Sequence, residues 1–195
     1  MSQFEFILII ISIVTGITIS EMLVSISRGL LFGKLSLRTG PYYLATIFLL
    51  FLATRYVWVL WDFRLVQWDF WNFLLLLSPV LMLAIVAHVL AIPRVHSDID
   101  IGDHYFSRAS LFYILLIVQS LLWAWSDWVN LSHITEVSTV EGFTLIRFGA
   151  VGLGVVQFAW LAYTRRLSHH WVLLVTTLFY IFYRTFQSVP SLLGQ

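Results

Sequence analysis

The chain contains no cysteine, which removes thiol redox chemistry, iron–sulfur ligation and disulfide bridging together. Charge is scarce as well. Only 11% of the 195 residues are Asp, Glu, Lys or Arg, less than half the share of an ordinary soluble domain. With a formal net charge of +1 there is no footprint for nucleic acid. The Gly-x-Ser-x-Gly elbow, the His-Glu-x-x-His pair, the phosphate-binding glycine loop and paired intramembrane carboxylates are all missing. No enzyme motif, cofactor or metal site is therefore indicated. A basic n-region is lacking before the first apolar run, so that run is expected to remain as a transmembrane helix.

What is present is mostly apolar: 60% of residues, with a mean hydropathy of +0.91. Segments long enough to cross a hydrocarbon core of roughly 30 Å occur at about 4–26, 41–62, 70–92, 107–129, 143–163 and 170–189. The expected fold is all-α, an integral membrane bundle of six transmembrane helices forming a single domain (1–195). Arg28, Lys34 and Arg38 lie in one connection, Arg94 and Arg108 flank another, and Arg165 and Arg166 fill a third. The alternate connections are poor in positive charge. The positive-inside rule then places both termini on the extracytoplasmic side.

Tryptophan is distributed unevenly. Trp58, Trp61, Trp68, Trp71, Trp123, Trp125 and Trp128 cluster at the expected outer ends of spans 2, 3 and 4. An interfacial aromatic belt explains such clustering, and a rim that docks a partner, lipid or pigment is the second reading.

Polar residues inside the spans point to function, because each needs a partner, a cavity or a role. Arg55, Arg147 and Arg184 fall at similar depth in the outer half. Arg55, Trp58 and Asp62 share one face of span 2, where the guanidinium could stack on the indole or pair with the carboxylate. Gln119, Trp123 and Asn130 share a face of span 4, with Asp127 at its edge; Arg184 and Gln187 share one of span 6. Spans 2, 4 and 6 each carry a polar residue about two turns below the outer end: Arg55, Gln119 and Arg184. Arg147 stands on the same face as Ala150 and Gly154, small residues that would let a helix pack closely over it, with Gln157 nearby.

Span 1 carries two stripes. Ser12, Gly16 and Ser20 follow small-xxx-small spacing, suited to a close helix contact. Thr18, Glu21, Ser25 and Arg28 occupy another face, and Glu21, Arg28 and His88 are candidates for a cytoplasmic vestibule. His88, a lone intramembrane imidazole, is expected to hydrogen-bond a neighbouring helix. Ser78-Pro79 should kink span 3 and free the Leu75 carbonyl. Asp98, Asp100 and Asp103 are oxygen-rich but lack the acid that closes an EF-hand loop, so Asp103 is read as an N-cap before span 4. His169-His170 beside Arg165-Arg166 reads as an interfacial anchor.

The opening Met1-Ser-Gln-Phe-Glu, the spaced Ser12, Gly16 and Glu21, Tyr42-Tyr43 after Pro41, and Asp103-His104-Tyr105-Phe106 together resemble a group of small multi-pass bacterial proteins with no assigned activity. The resemblance implies a bacterial inner-membrane location. Two functional expectations follow from the residues. One is a channel- or transporter-like protein, embedded in the lipid bilayer as a homo-oligomer, with an outer vestibule attracting an anion or lipid headgroup. The other is a non-catalytic accessory subunit of a larger membrane complex that docks through its Trp-rich face.

Overall fold

A computed structural model describes the backbone of residues 3–32, 36–59, 69–92, 100–132 and 140–188, and the side chains of 4–31, 36–58, 69–92, 100–129 and 148–182. These residues form six α-helices: α1 (Gln3–Phe32), α2 (Gly40–Val59), α3 (Phe70–Leu90), α4 (Ile101–Ser132), α5 (Val140–Tyr163) and α6 (Leu167–Ser188). Continuous apolar runs favour helix because each turn satisfies its own backbone polar groups. Three stretches, Phe4–Leu31, Phe70–Leu90 and Ile101–Val129, are long and apolar enough to cross a membrane; Phe148–Tyr163 and Leu167–Phe182 are shorter apolar helices.

Two helices run more than a turn past the expected bounds. α1 continues to Phe32, so Arg28 stands in the helix and not in the connection after it. α4 begins at Ile101, and its N-terminal cap is Asp100, whose Oδ1 accepts from the Asp103 N–H at 3.0 Å. Asp103 is thus not the cap; it lies in the first turn and pairs with Arg38 at 3.3 Å. Asp98 lies outside the described residues.

α2 and α4 form the middle of the bundle. α1 and α3 pack on one flank, while on the other α6 leans on α2 and α5 on α4. Direct packing between α5 and α6 is slight by comparison. The main apolar core joins Met22, Tyr42, Leu49, Leu83, Tyr105, Phe112, Leu116, Leu161 and Leu174. A second cluster, Ile7, Ile11, Tyr56, Leu76 and Val80, fills the seam of α1, α2 and α3 toward the other end.

The proline in α3 is accommodated without an orphaned carbonyl. Pro79 has no N–H for the Leu75 oxygen, and the Ser78 hydroxyl donates to it instead at 2.9 Å. The next carbonyl, Leu76, accepts from Tyr56 Oη at 3.1 Å, which ties α2 to α3 beside the proline.

Candidate functional site

Between α2, α4, α5 and α6 lies a cavity of about 680 Å³, within the range of small-molecule sites. Its back wall comes from α2 and α4: Phe48, Leu52, Arg55 and Tyr56, then Gln119, Ser120 and Trp123. Phe48, Tyr56 and Gln119 are buried, and the Tyr56 and Trp123 rings meet edge to face with centroids 4.4 Å apart. Its front is made by α5 and α6, and there the lining is exposed: Leu153 at 74% and Tyr180 at 45%. The cavity therefore opens sideways, between α5 and α6.

Glycine creates this space. Gly149 and Gly154 line the cavity, and a Cβ built on either would meet nothing within 4 Å. The expectation that small residues on α5 bring another helix into close contact is corrected here. They face open volume, because α6 is held against α2 and turns away from α5.

The floor is closed. Phe48 and Phe158 meet edge to face at 5.9 Å, and Tyr113 stacks on Phe158 at 6.0 Å. Beside them Gln157 donates through Nε2 to the Leu173 carbonyl at 2.8 Å and to Thr177 Oγ1, bridging α5 to α6. From Gly149 to Phe158 the helical rise gives a depth of about 14 Å. Arg55 stands at the end away from this floor.

No known protein family matches this chain, and neither does any curated protein or solved structure.

Not every expected site residue joins the cavity. Arg55, Gln119 and Trp123 line it together. Trp58 instead points outward at 61% exposure, like Trp71, Trp125 and Trp128. Asp127 is buried beside Tyr56 without lining the cavity. The backbones of Arg147 and Arg184 belong to α5 and α6, just beyond Gly149 and Ile181 on the side away from the floor; their side chains, that of Gln187 and the whole of Asp62 lie outside the described residues.

The Glu21, Arg28 and His88 group is brought together as a helix seam. His88 Nδ1 lies 2.7 Å from Glu21 Oε1, joining α3 to α1 as expected of the lone histidine. His88 is 79% exposed, so this pair sits on the rim of the bundle. Arg28 donates to the Ile92 carbonyl at 3.2 Å. Ser25 Oγ accepts from the Ile92 N–H at 2.8 Å and lies 2.7 Å from Tyr42 Oη. The polar face of α1 thus closes the end of α3 against α2. The Ser12, Gly16 and Ser20 stripe faces outward, away from any helix of this chain.

One polar cluster went unread in the sequence. His170 is fully buried, which corrects its reading as an interfacial anchor. Its Nε2 donates to the Thr164 carbonyl at 2.9 Å, leaving Nδ1 to accept from Tyr105 Oη at 2.8 Å. Tyr113 Oη lies 2.7 Å from Tyr105 Oη and 3.5 Å from Nδ1. Tyr105, Ala109 and Tyr113 follow one ridge of four-residue spacing on α4, all buried. That ridge was the available signal, but its partner lies on α6. His169, by contrast, stays near the surface with Trp160 and Thr164.

Proposed function

We propose that the chain is a bacterial inner-membrane protein of six transmembrane spans, with both termini outside, that binds an anion in this cavity and handles it as a transporter does. The position of Arg55 carries this reading: a fixed cation at the outer end of a walled, mostly apolar cavity. A guanidinium presents five N–H donors, so it can hold a neighbour and still receive a ligand. In such surroundings its attraction for an anion exceeds that at a wet surface. Gln119, Ser120 and Thr176 supply neutral polar groups along the same walls.

A transporter fits better than a channel because the cavity ends on the Phe48–Phe158 floor and the Gln157–Thr177 bridge. The basic connections support the orientation, and the helix lengths are compatible with six crossings. Reconstituted vesicles test the reading through uptake of labelled phosphate and simple carboxylates. Arg55→Ala should lower binding or uptake roughly tenfold or more, the loss of one charge-assisted hydrogen bond. Wild-type protein that neither binds nor moves any anion tried refutes it.

The accessory-subunit reading draws on a separate observation, the outward set of Trp58, Trp71, Trp125 and Trp128. It predicts that a partner protein co-purifies in mild detergent and shields these indoles from an aqueous quencher. Recovery of the chain without a partner counts against it.

A further inference from the structure

We infer that the ligand of this cavity is a single-chain amphiphile with an anionic head, reaching its site sideways from the outer leaflet between α5 and α6. This inference rests on the reading of Arg55 as the anion-attracting group. It adds the tail, the route and the size of the ligand.

The shape of the cavity argues for a tail. Arg55, Gln119 and Ser120 mark one end; toward the floor the polar side chains Gln157, Thr176 and Thr177 are hydrogen-bonded to one another or to the Val172 and Leu173 carbonyls, and the remaining walls are Leu52, Phe48, Phe158 and the bare backbone of Gly154, down to an aromatic floor about 14 Å deep. A small hydrated anion would leave most of that surface unmatched. A chain whose head meets the guanidinium would bury its methylenes against it.

The volume, about 680 Å³, is that of a site for one drug-sized ligand, which suits a single acyl chain with its head.

The route follows from exposure. Leu153, Thr176 and Tyr180 line the cavity and are also exposed on the perimeter of the bundle, whereas the opposite wall is buried at Phe48, Tyr56 and Gln119 and half-buried at Leu52, Arg55, Ser120 and Trp123. The described bonds between α5 and α6 lie at the floor and below: Gln157 to Thr177 and Leu173, and His169 to Trp160 and Thr164. The two helices are pinned at one end, and the seam toward the other, marked by the exposed lining, is the route by which a chain would enter without leaving the bilayer.

The test uses the full chain in lipid nanodiscs, with palmitic acid carrying a mid-chain diazirine as probe and the matching diazirine alcohol as its uncharged counterpart. After illumination, peptide mapping should place the adducts within 148–158 and 176–182. Gly154→Leu projects a side chain into the space and should remove that labelling, while Gly16→Leu, on the outward face of α1, should leave it unchanged. Arg55→Gln should weaken labelling by the acid roughly tenfold and leave that by the alcohol as it was. Adducts spread along the outward face of α1 and indifferent to Gly154→Leu would overturn the inference. Arg55-dependent binding of phosphate or acetate, without cavity labelling by the palmitate probe, would overturn the amphiphile and keep the anion reading. No Arg55 dependence for any anion, soluble or tailed, would overturn both.

Discussion

Replacing both tyrosines of the buried histidine cluster should cost more than the two single replacements added together. His170 Nε2 is committed to the Thr164 carbonyl, so Nδ1 needs a donor. Tyr105 supplies it from 2.8 Å, and Tyr113 already stands 3.5 Å away. In Tyr105→Phe the Tyr113 hydroxyl can turn to Nδ1; in Tyr113→Phe the Tyr105 bond is untouched. Each single change therefore loses one hydroxyl–hydroxyl bond, worth about 0.5–1.5 kcal/mol. In the double variant a buried acceptor is left with no donor, which adds about 1–3 kcal/mol. The excess over additivity should reach about 1–2 kcal/mol, beyond the 0.5 or so within which independent sites add. For a chain of 195 residues that corresponds to an extra fall in Tm of about 2–8 °C. Thermal unfolding of the four proteins in one detergent, followed by near-ultraviolet circular dichroism, reads it directly. Repeating the cycle with His170→Phe should abolish the excess, because no Nδ1 remains to be orphaned. Additive losses in the first cycle, or an unchanged excess in the second, would refute the reasoning.

Other substitutions test the remaining seams. Gly40→Ala would drive a methyl group into the Trp171 ring, which also donates to the Leu37 carbonyl at 3.2 Å. A loss of about 1–3 kcal/mol and a shifted tryptophan emission are expected, with unchanged stability as the contrary result. Ser25→Ala strips the Ile92 N–H and the Tyr42 hydroxyl of their shared partner, and should cost about 1–3 kcal/mol by the same thermal assay. Gly154→Ala should behave oppositely: its Cβ has open space and its backbone is helical, so stability should rise by about 0.5–1 kcal/mol. Glu21→Gln breaks a pair on the bundle's rim and should change stability by less than about 1 kcal/mol. A much larger loss would show that Glu21 and His88 do more than join α1 to α3.

The sequence carried the helices well, because apolar runs of this length leave the backbone little other choice. It also carried the polar face of α1, since Thr18, Glu21, Ser25 and Arg28 share one side by periodicity alone, and that side meets α3. Gln119 and Arg55 could be set at one depth by counting residues, and they do line one cavity. The glycines were harder to read. Small-residue spacing says that a helix can approach, not that one does. On α1 such a stripe faces outward, and on α5 it borders a cavity. Tyr105, Tyr113 and His170 escaped for a related reason: 57 and 65 residues separate the tyrosines from the histidine, and only the docking of α6 joins them.

Those two surprises have one physical origin. In lipid, helices gain little from burying apolar faces against each other, so polar bonds and close contacts decide which faces meet. α6 is drawn toward α2 and α4 by Trp171 on Leu37 and His170 on Tyr105, all in its first turns. Farther along, Phe182 meets Phe51, again on α2. α5 shares with α6 only the turn around His169 and the Gln157 bridge among the bonds described. The same clasps that bury His170 therefore pull α6 off the glycine face of α5, and the cavity beneath Arg55 is the space that results. If so, loosening the clasp should loosen the cavity: Trp171→Phe, which removes the Leu37 bond but keeps most of the ring, should weaken labelling by the palmitate probe without touching a single residue that lines its site. Undiminished labelling in that variant would mean that α5, and not the docking of α6, sets the width of the seam.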